Sequence, residues 1–140
     1  MRRRQLSVIL VVHPDRHLLS DLREALGAAG YRVLAASTAA LARELLSGLH
    51  GRLVLAADRL PDGSGLALLE DVHRLSPWTA QVLLGDELEL EGHPTVFGCL
   101  SDRCSQQALL GMVSLALRQA QLDAAAALLG STVGPEMASA

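Results

Sequence analysis

Short apolar runs alternate with segments of helical period along most of the chain. Residues 6–12 (LSVILVV) are almost continuously apolar, as expected of a strand covered on both faces. Leu18, Leu19, Leu22, Ala25, Leu26 and Ala29 then recur on one helical face, which Gly30 ends. Residues 31–36 predict a second strand. Ser37 and Thr38 are N-cap candidates for a helix carrying Leu41, Leu45, Leu46 and Leu49. Residues 53–57 predict a third strand, and the loop LPDGSGL leads into a helix with Leu66, Leu68, Leu69, Val72 and Leu75. Residues 81–84 and 95–100 complete five strands, and a last helix runs from about Ser105 towards Leu129.

Strands alternating with helices predict a parallel sheet wound on both faces. Five strands in this length fit an α/β, flavodoxin-like, doubly wound sheet of order 2-1-3-4-5. A site in such a sheet lies at the carboxyl ends of its strands. There the chain places His13-Pro14-Asp15, Ala57-Asp58-Arg59, Gly85-Asp86 and Ser101-Asp102. The loop after the first strand is not glycine-rich, which argues against a phosphate-cradling nucleotide site.

Two crossovers depart from a regular winding. Only ten residues, GDELELEGHP, separate the fourth and fifth strands, so a shortened fourth helix is expected. The last helix is extended: 105–129 would span about 37 Å at ~1.5 Å per residue. ALLGMVSLAL within it is apolar almost all round. A second apolar surface should therefore cover it, either the face exposed by the short crossover or the same helix of a partner subunit. Leu109, Leu110, Met112, Val113 and Leu117 are the interface candidates. We expect one domain over 1–129 and a flexible tail over 130–140.

Composition narrows the function classes. The 140 residues are 50% hydrophobic and 19% charged, which excludes a chain that is as a whole a disordered tail or a charge-driven binder. The net charge of −3 argues against a phosphate-tracking nucleic-acid domain. All 12 strongly basic residues are Arg, so no Schiff-base or Walker-type lysine exists. The Met1-Arg2-Arg3-Arg4 start lacks a following cleavage site, and no apolar stretch reaches membrane-spanning length. A cytoplasmic protein with no membrane partner is expected. Cys99 and Cys104 have neither the number nor the spacing of a zinc site. His50, His73 and His93 stand singly, and Pro14 interrupts the His13/His17 spacing. Ser64 is read as an N-cap, because a hydrolase elbow would need glycine where Asp62 stands.

The layout resembles the receiver domain of bacterial response regulators over residues 6 to about 120. The most specific stretch is LVLAADRLPDGSGLALLEDVHRLSP at 53–77, with VILVVHPDR and GYRVLAAST in support. The resemblance implies self-catalysed phosphorylation of an aspartate, with Mg²⁺ held by an acidic pair, a lysine on the phosphoryl oxygens and a switch hydroxyl. Here the acidic pair aligns with His13 and Pro14, the acceptor with Ala57, the hydroxyl with Gly85 and the lysine with Asp102. Proline offers no ligand, and imidazole suits a hard ion poorly. The resemblance also implies that the fourth helix, fifth strand and fifth helix form a dimer or output face.

These readings give a degenerate, non-enzymatic receiver without cofactor or metal. It would act by phosphorylation-independent contacts with a protein partner or a second copy, through the last strand and last helix. Two alternatives stay open. Asp58, one residue beyond the acceptor position, could take phosphate if a bulge turned it back. The space left at Ala57 and Gly85 could instead hold a small ligand. Asp15, Asp58 and Asp102 near His13 could also suit Mn²⁺ or Zn²⁺. As structural roles, Asp15 is expected to cap the first helix, Asp58 to be a solvated or turn-bonding acid with Arg59 as a candidate partner, and Asp102 to pair with Arg103 or a nearby Arg or to cap the last helix.

Overall fold

In chain order the elements are β1 (Val8–Val12), α1 (Arg16–Ala28), β2 (Arg32–Ala36), α2 (Ala39–Ser47) and β3 (Leu53–Ala57). There follow β4 (Arg59–Leu60), β5 (Gly63–Ser64), α3 (Gly65–Leu75), β6 (Ala80–Leu84), β7 (Gly98–Leu100) and α4 (Gln106–Gly130). The structure is a computed structural model and describes residues 7–47, 52–85 and 96–130. The expected shortened crossover at 86–95, the tail beyond 130, Leu49 and the first six residues lie outside that range.

Five strands pair in parallel in the order β2-β1-β3-β6-β7. With the two-residue strands set aside, this is the 2-1-3-4-5 flavodoxin-like order predicted from the sequence. β4 and β5 form a small antiparallel ladder, Arg59 opposite Ser64 and Leu60 opposite Gly63, around the Pro61-Asp62 turn.

The continuous apolar runs follow from burial on both faces. Ile9 and Val11 of β1 pack with Leu22 and Leu26 of α1 and with Leu109, Val113 and Ala116 of α4. Leu10 and Val12 face the opposite way, into a cluster with Ala39 and Ala42 of α2 and Leu68, Leu69 and Val72 of α3. Gln81 of β6, a buried polar side chain within the core, donates from Nε2 to the Leu69 carbonyl at 2.9 Å. Gly30, with φ +100°, turns the chain out of α1 in a conformation that a Cβ disfavours.

Burial on α4 corrects the expected interface. Leu109 and Val113, named as interface candidates, are 3% and 0% exposed against their own sheet. Leu110, Met112 and Leu117 are half-buried beside that cluster. A helix apolar all round offers no stripe from which its sheet-facing side can be read. The surface actually left open carries Leu115, Leu122, Leu128 and Leu129. Length explains it: the 25-residue helix spans about 37 Å at ~1.5 Å per residue. The five-residue strands beneath it span about 17 Å at ~3.3 Å per residue. Leu75 and Leu41, at the ends of their helical faces, are also exposed.

Candidate functional site

The carboxyl edge of the sheet gathers residues from four strands. His13 follows β1 and remains in the ladder, its N–H donating to the Ala36 carbonyl at 3.0 Å. Asp58 follows β3 and donates to the Leu84 carbonyl at 2.8 Å, and Gly85 follows β6 and donates to the Leu100 carbonyl at 2.8 Å. Backbone pairing therefore carries the sheet one residue past its strands and fixes where these side chains emerge.

The His13 ring is buried and spans two partners. Its Nδ1 accepts from the Asp15 backbone N–H at 3.0 Å, which places the ring proton on Nε2. Nε2 lies 3.2 Å from Asp102 Oδ1, in the loop after β7. Asp102 thus bonds to His13 across the edge rather than to Arg103, and α4 is capped by Ser105, whose Oγ accepts from the Ala108 N–H at 3.0 Å.

Other polar groups at this edge hold helix ends. Asp15 is the N-cap of α1, accepting from the His17 and Leu18 N–H groups. Ser64 caps α3 by accepting from the Leu66 and Ala67 N–H groups. Thr38 accepts from Leu41 at the start of α2. Asp62 reaches the same helix from the β4–β5 turn, its two oxygens accepting from the Ala39 and Ala40 N–H groups at 2.8 and 2.9 Å. Those two bonds hold the Asp62 carboxyl below its ordinary value. The sequence reading did not foresee this cap, because donor and acceptor lie more than twenty residues apart in the chain.

Ala57 fills the acceptor position and is 5% exposed. Asp58 beside it is half-buried, its carbonyl accepts from the Gly65 N–H at 2.8 Å, and its side chain forms no ion pair with Arg59. Pro14 is exposed. Among the described residues, no three His, Cys, Asp or Glu side chains gather as metal ligands. Asp15, Asp58 and Asp102 do not converge on His13 as a metal site would require, and His17 is exposed on α1. A cleft of about 300 Å³ near this edge lies between α1 and the start of α4, lined by Asp21, Leu84, Asp102, Cys104 and Gln106 among others. Cys104 in its wall is pushed up from the ordinary thiol value, chiefly by burial and further by the Asp102 charge.

A larger groove of about 460 Å³ opens at the opposite end of the sheet. Trp78, Phe97, Gln81 and His73 line it, together with Ala116 and Ala120 of α4. The sequence reading missed it; the one signal was Trp78 directly after the helix-ending Ser76-Pro77.

No family model and no curated protein matches the chain. Solved structures do. The signal receiver domain of an HD domain-containing protein from Pseudomonas fluorescens Pf-5 is 26% identical, covering 88% of this chain and 95% of that one, with a TM-score of 0.78. The fold is that of a receiver domain. A CheY-like response regulator receiver domain protein from Methanospirillum hungatei JF-1 is 24% identical over 85% of this chain and 99% of its own, at a TM-score of 0.79. NtrX from Brucella abortus reaches 0.82 at 20% identity, covering 89% of this chain but only 30% of that longer one. His13 and Asp102, which the resemblance aligns with an acid and a lysine, are hydrogen-bonded to each other at this edge. Among the described residues no helix is long and apolar enough to cross a membrane.

Proposed function

We propose that this chain is an atypical receiver domain of a bacterial two-component signalling pathway that works by protein contact without accepting phosphate. The observation that carries the reading is the His13–Asp102 bond. It ties the ion-binding position to the lysine position and sets a carboxylate where phosphoryl oxygens would gather. A second negative charge arriving there would be repelled instead of clamped. Two further carboxylates support the same reading, since Asp15 and Asp62 are engaged in capping helices. Ala57 supplies no nucleophile at the end of β3.

The test is intact mass after incubation with Mg²⁺, then Mn²⁺, and a small acyl-phosphate donor, beside an Asp58→Asn control. No phosphoryl adduct on either protein is expected. An adduct on the parent and not on the control would overturn the reading and make Asp58 a displaced phosphoacceptor.

A further inference from the structure

The chain has one Trp, one Tyr and one Phe. Two of these aromatics, Trp78 and Phe97, line the large groove where β6 and β7 begin, and they are 52% and 41% exposed. Each stands on fixed backbone. Pro77 follows the end of α3, and the Thr79 N–H donates to the Ser76 carbonyl at 3.1 Å, so a tight turn carries Trp78. The Ser76 and Thr79 hydroxyls close the same turn at 2.7 Å. The Phe97 N–H donates to the Gln81 carbonyl at 2.8 Å, which holds Phe97 beside β6. Two aromatic surfaces left in water over one cavity mark a binding site rather than a core.

The facing wall, on α4, is small and acidic. Ala116, Ala120 and Asp123 recur at helical spacing on one face, with Gln119 beside them. The two alanines give the groove its depth. Gln119 Nε2 donates to Asp123 Oδ1 at 2.9 Å, which steadies the carboxylate along the wall. Asp123 has no ion pair among the described residues, and no Arg is among the described residues that line this groove. Its negative charge is therefore uncompensated there. His73, the other titratable side chain in the described lining, is exposed near the end of α3. An aromatic face attracts cations, and an uncompensated carboxylate adds to that attraction. The volume of about 460 Å³ suits a small molecule. A primary ammonium has three donors and is strongly hydrated, so it would lose more water than one carboxylate replaces. A quaternary ammonium has no N–H to satisfy, and aromatic faces with one carboxylate are enough to hold it.

We infer that the groove between Trp78, Phe97 and Asp123 binds a small quaternary ammonium compound, its cationic head against the two aromatic faces and the carboxylate. Choline chloride is the probe. Titrated into the full chain at about pH 8, where imidazole is ordinarily neutral, it should change the emission of Trp78 saturably. The Kd should be about 10 mM or tighter. Sodium chloride at the same concentrations should give no such change. The uncharged isostere of choline, with carbon in place of nitrogen, should bind at least about tenfold more weakly. Asp123→Asn and Phe97→Leu keep the bulk of their side chains and should each weaken choline at least about threefold, with the parent's circular dichroism. Trp78→Leu, followed by titration calorimetry because the fluorophore is gone, should weaken it by as much or more. No saturable response below about 50 mM choline, an isostere that binds as well, or an affinity that either Asp123→Asn or Phe97→Leu leaves unchanged would each overturn the inference. The groove lies at the start of β6 and the Ala57 position beside its end, so neither result bears on phosphotransfer.

Discussion

Gly65 lies so close to Ala57 that a Cβ added to it would stand 1.9 Å from the Ala57 carbonyl oxygen. The first turn of α3 therefore sits directly on the end of β3, beside the acceptor position, and the obstacle is backbone that cannot rotate aside. Gly65→Ala should destabilise the fold by about 3 kcal/mol or more, read from urea unfolding. Gly111→Ala is the opposite case: nothing lies within 4 Å of its Cβ position inside α4, so a gain of about 0.5–1 kcal/mol is expected.

Asp62 should make the stability of α2 depend on pH at the acid end. Its carboxyl is held below the ordinary 3.8 by the Ala39 and Ala40 N–H groups. A depressed folded value gives stability that is present above the unfolded value and lost as pH falls through the folded one. The stability gap between parent and Asp62→Ala should thus be constant at neutral pH and narrow below about 3.8. Unfolding midpoints measured from pH 7 to the acid limit of the native state check this.

The two ends of the His13–Asp102 bond are unequal in exposure, with side chains 6% and 44% accessible. His13→Ala should cost about 2–3 kcal/mol, since it opens a buried space and leaves the Asp15 N–H without its acceptor. Asp102→Ala should cost about 1 kcal/mol or less, as expected for a partner half in water. Denaturant titration of both variants gives the comparison. Long-range ¹⁵N–¹H correlation should show His13 with its proton on Nε2.

Alkylation of Cys104, followed by mass spectrometry in a Cys99→Ser background, should need a higher pH than alkylation of a free thiol. Burial holds the thiol above its ordinary 9.0, and the Asp102 charge adds to that. Asp102→Asn should shift the rate profile part of the way back. A profile unmoved by folding would contradict the burial account.

The sheet was legible because strands buried on both faces leave unbroken apolar runs, as in β1 and β3. Caps acting over two or three residues, Asp15 and Ser64, were legible for the same local reason. Asp62 was not, since its helix begins in another crossover. His13 and Asp102 could be placed at one edge from the topology, but their bond spans 89 positions, and nearby arginines looked the better partners for the acid. Leu109 and Val113, two of the five α4 interface candidates, proved to face the sheet where the pattern held least information, in a helix apolar on every side. Periodicity alone could not tell Leu109 and Val113, buried against the sheet, from Leu115 and Leu122, which are exposed.

Trp78 is the chain's single tryptophan and is 52% exposed. It borders the large groove beside Ala120 and a second one beside Leu117 and Ala124, both walled by α4. Its emission is therefore a native optical gauge of that helix. A spectral shift or a change in quenching would register displacement of α4 over β6, with no label attached and no other indole to confuse the signal.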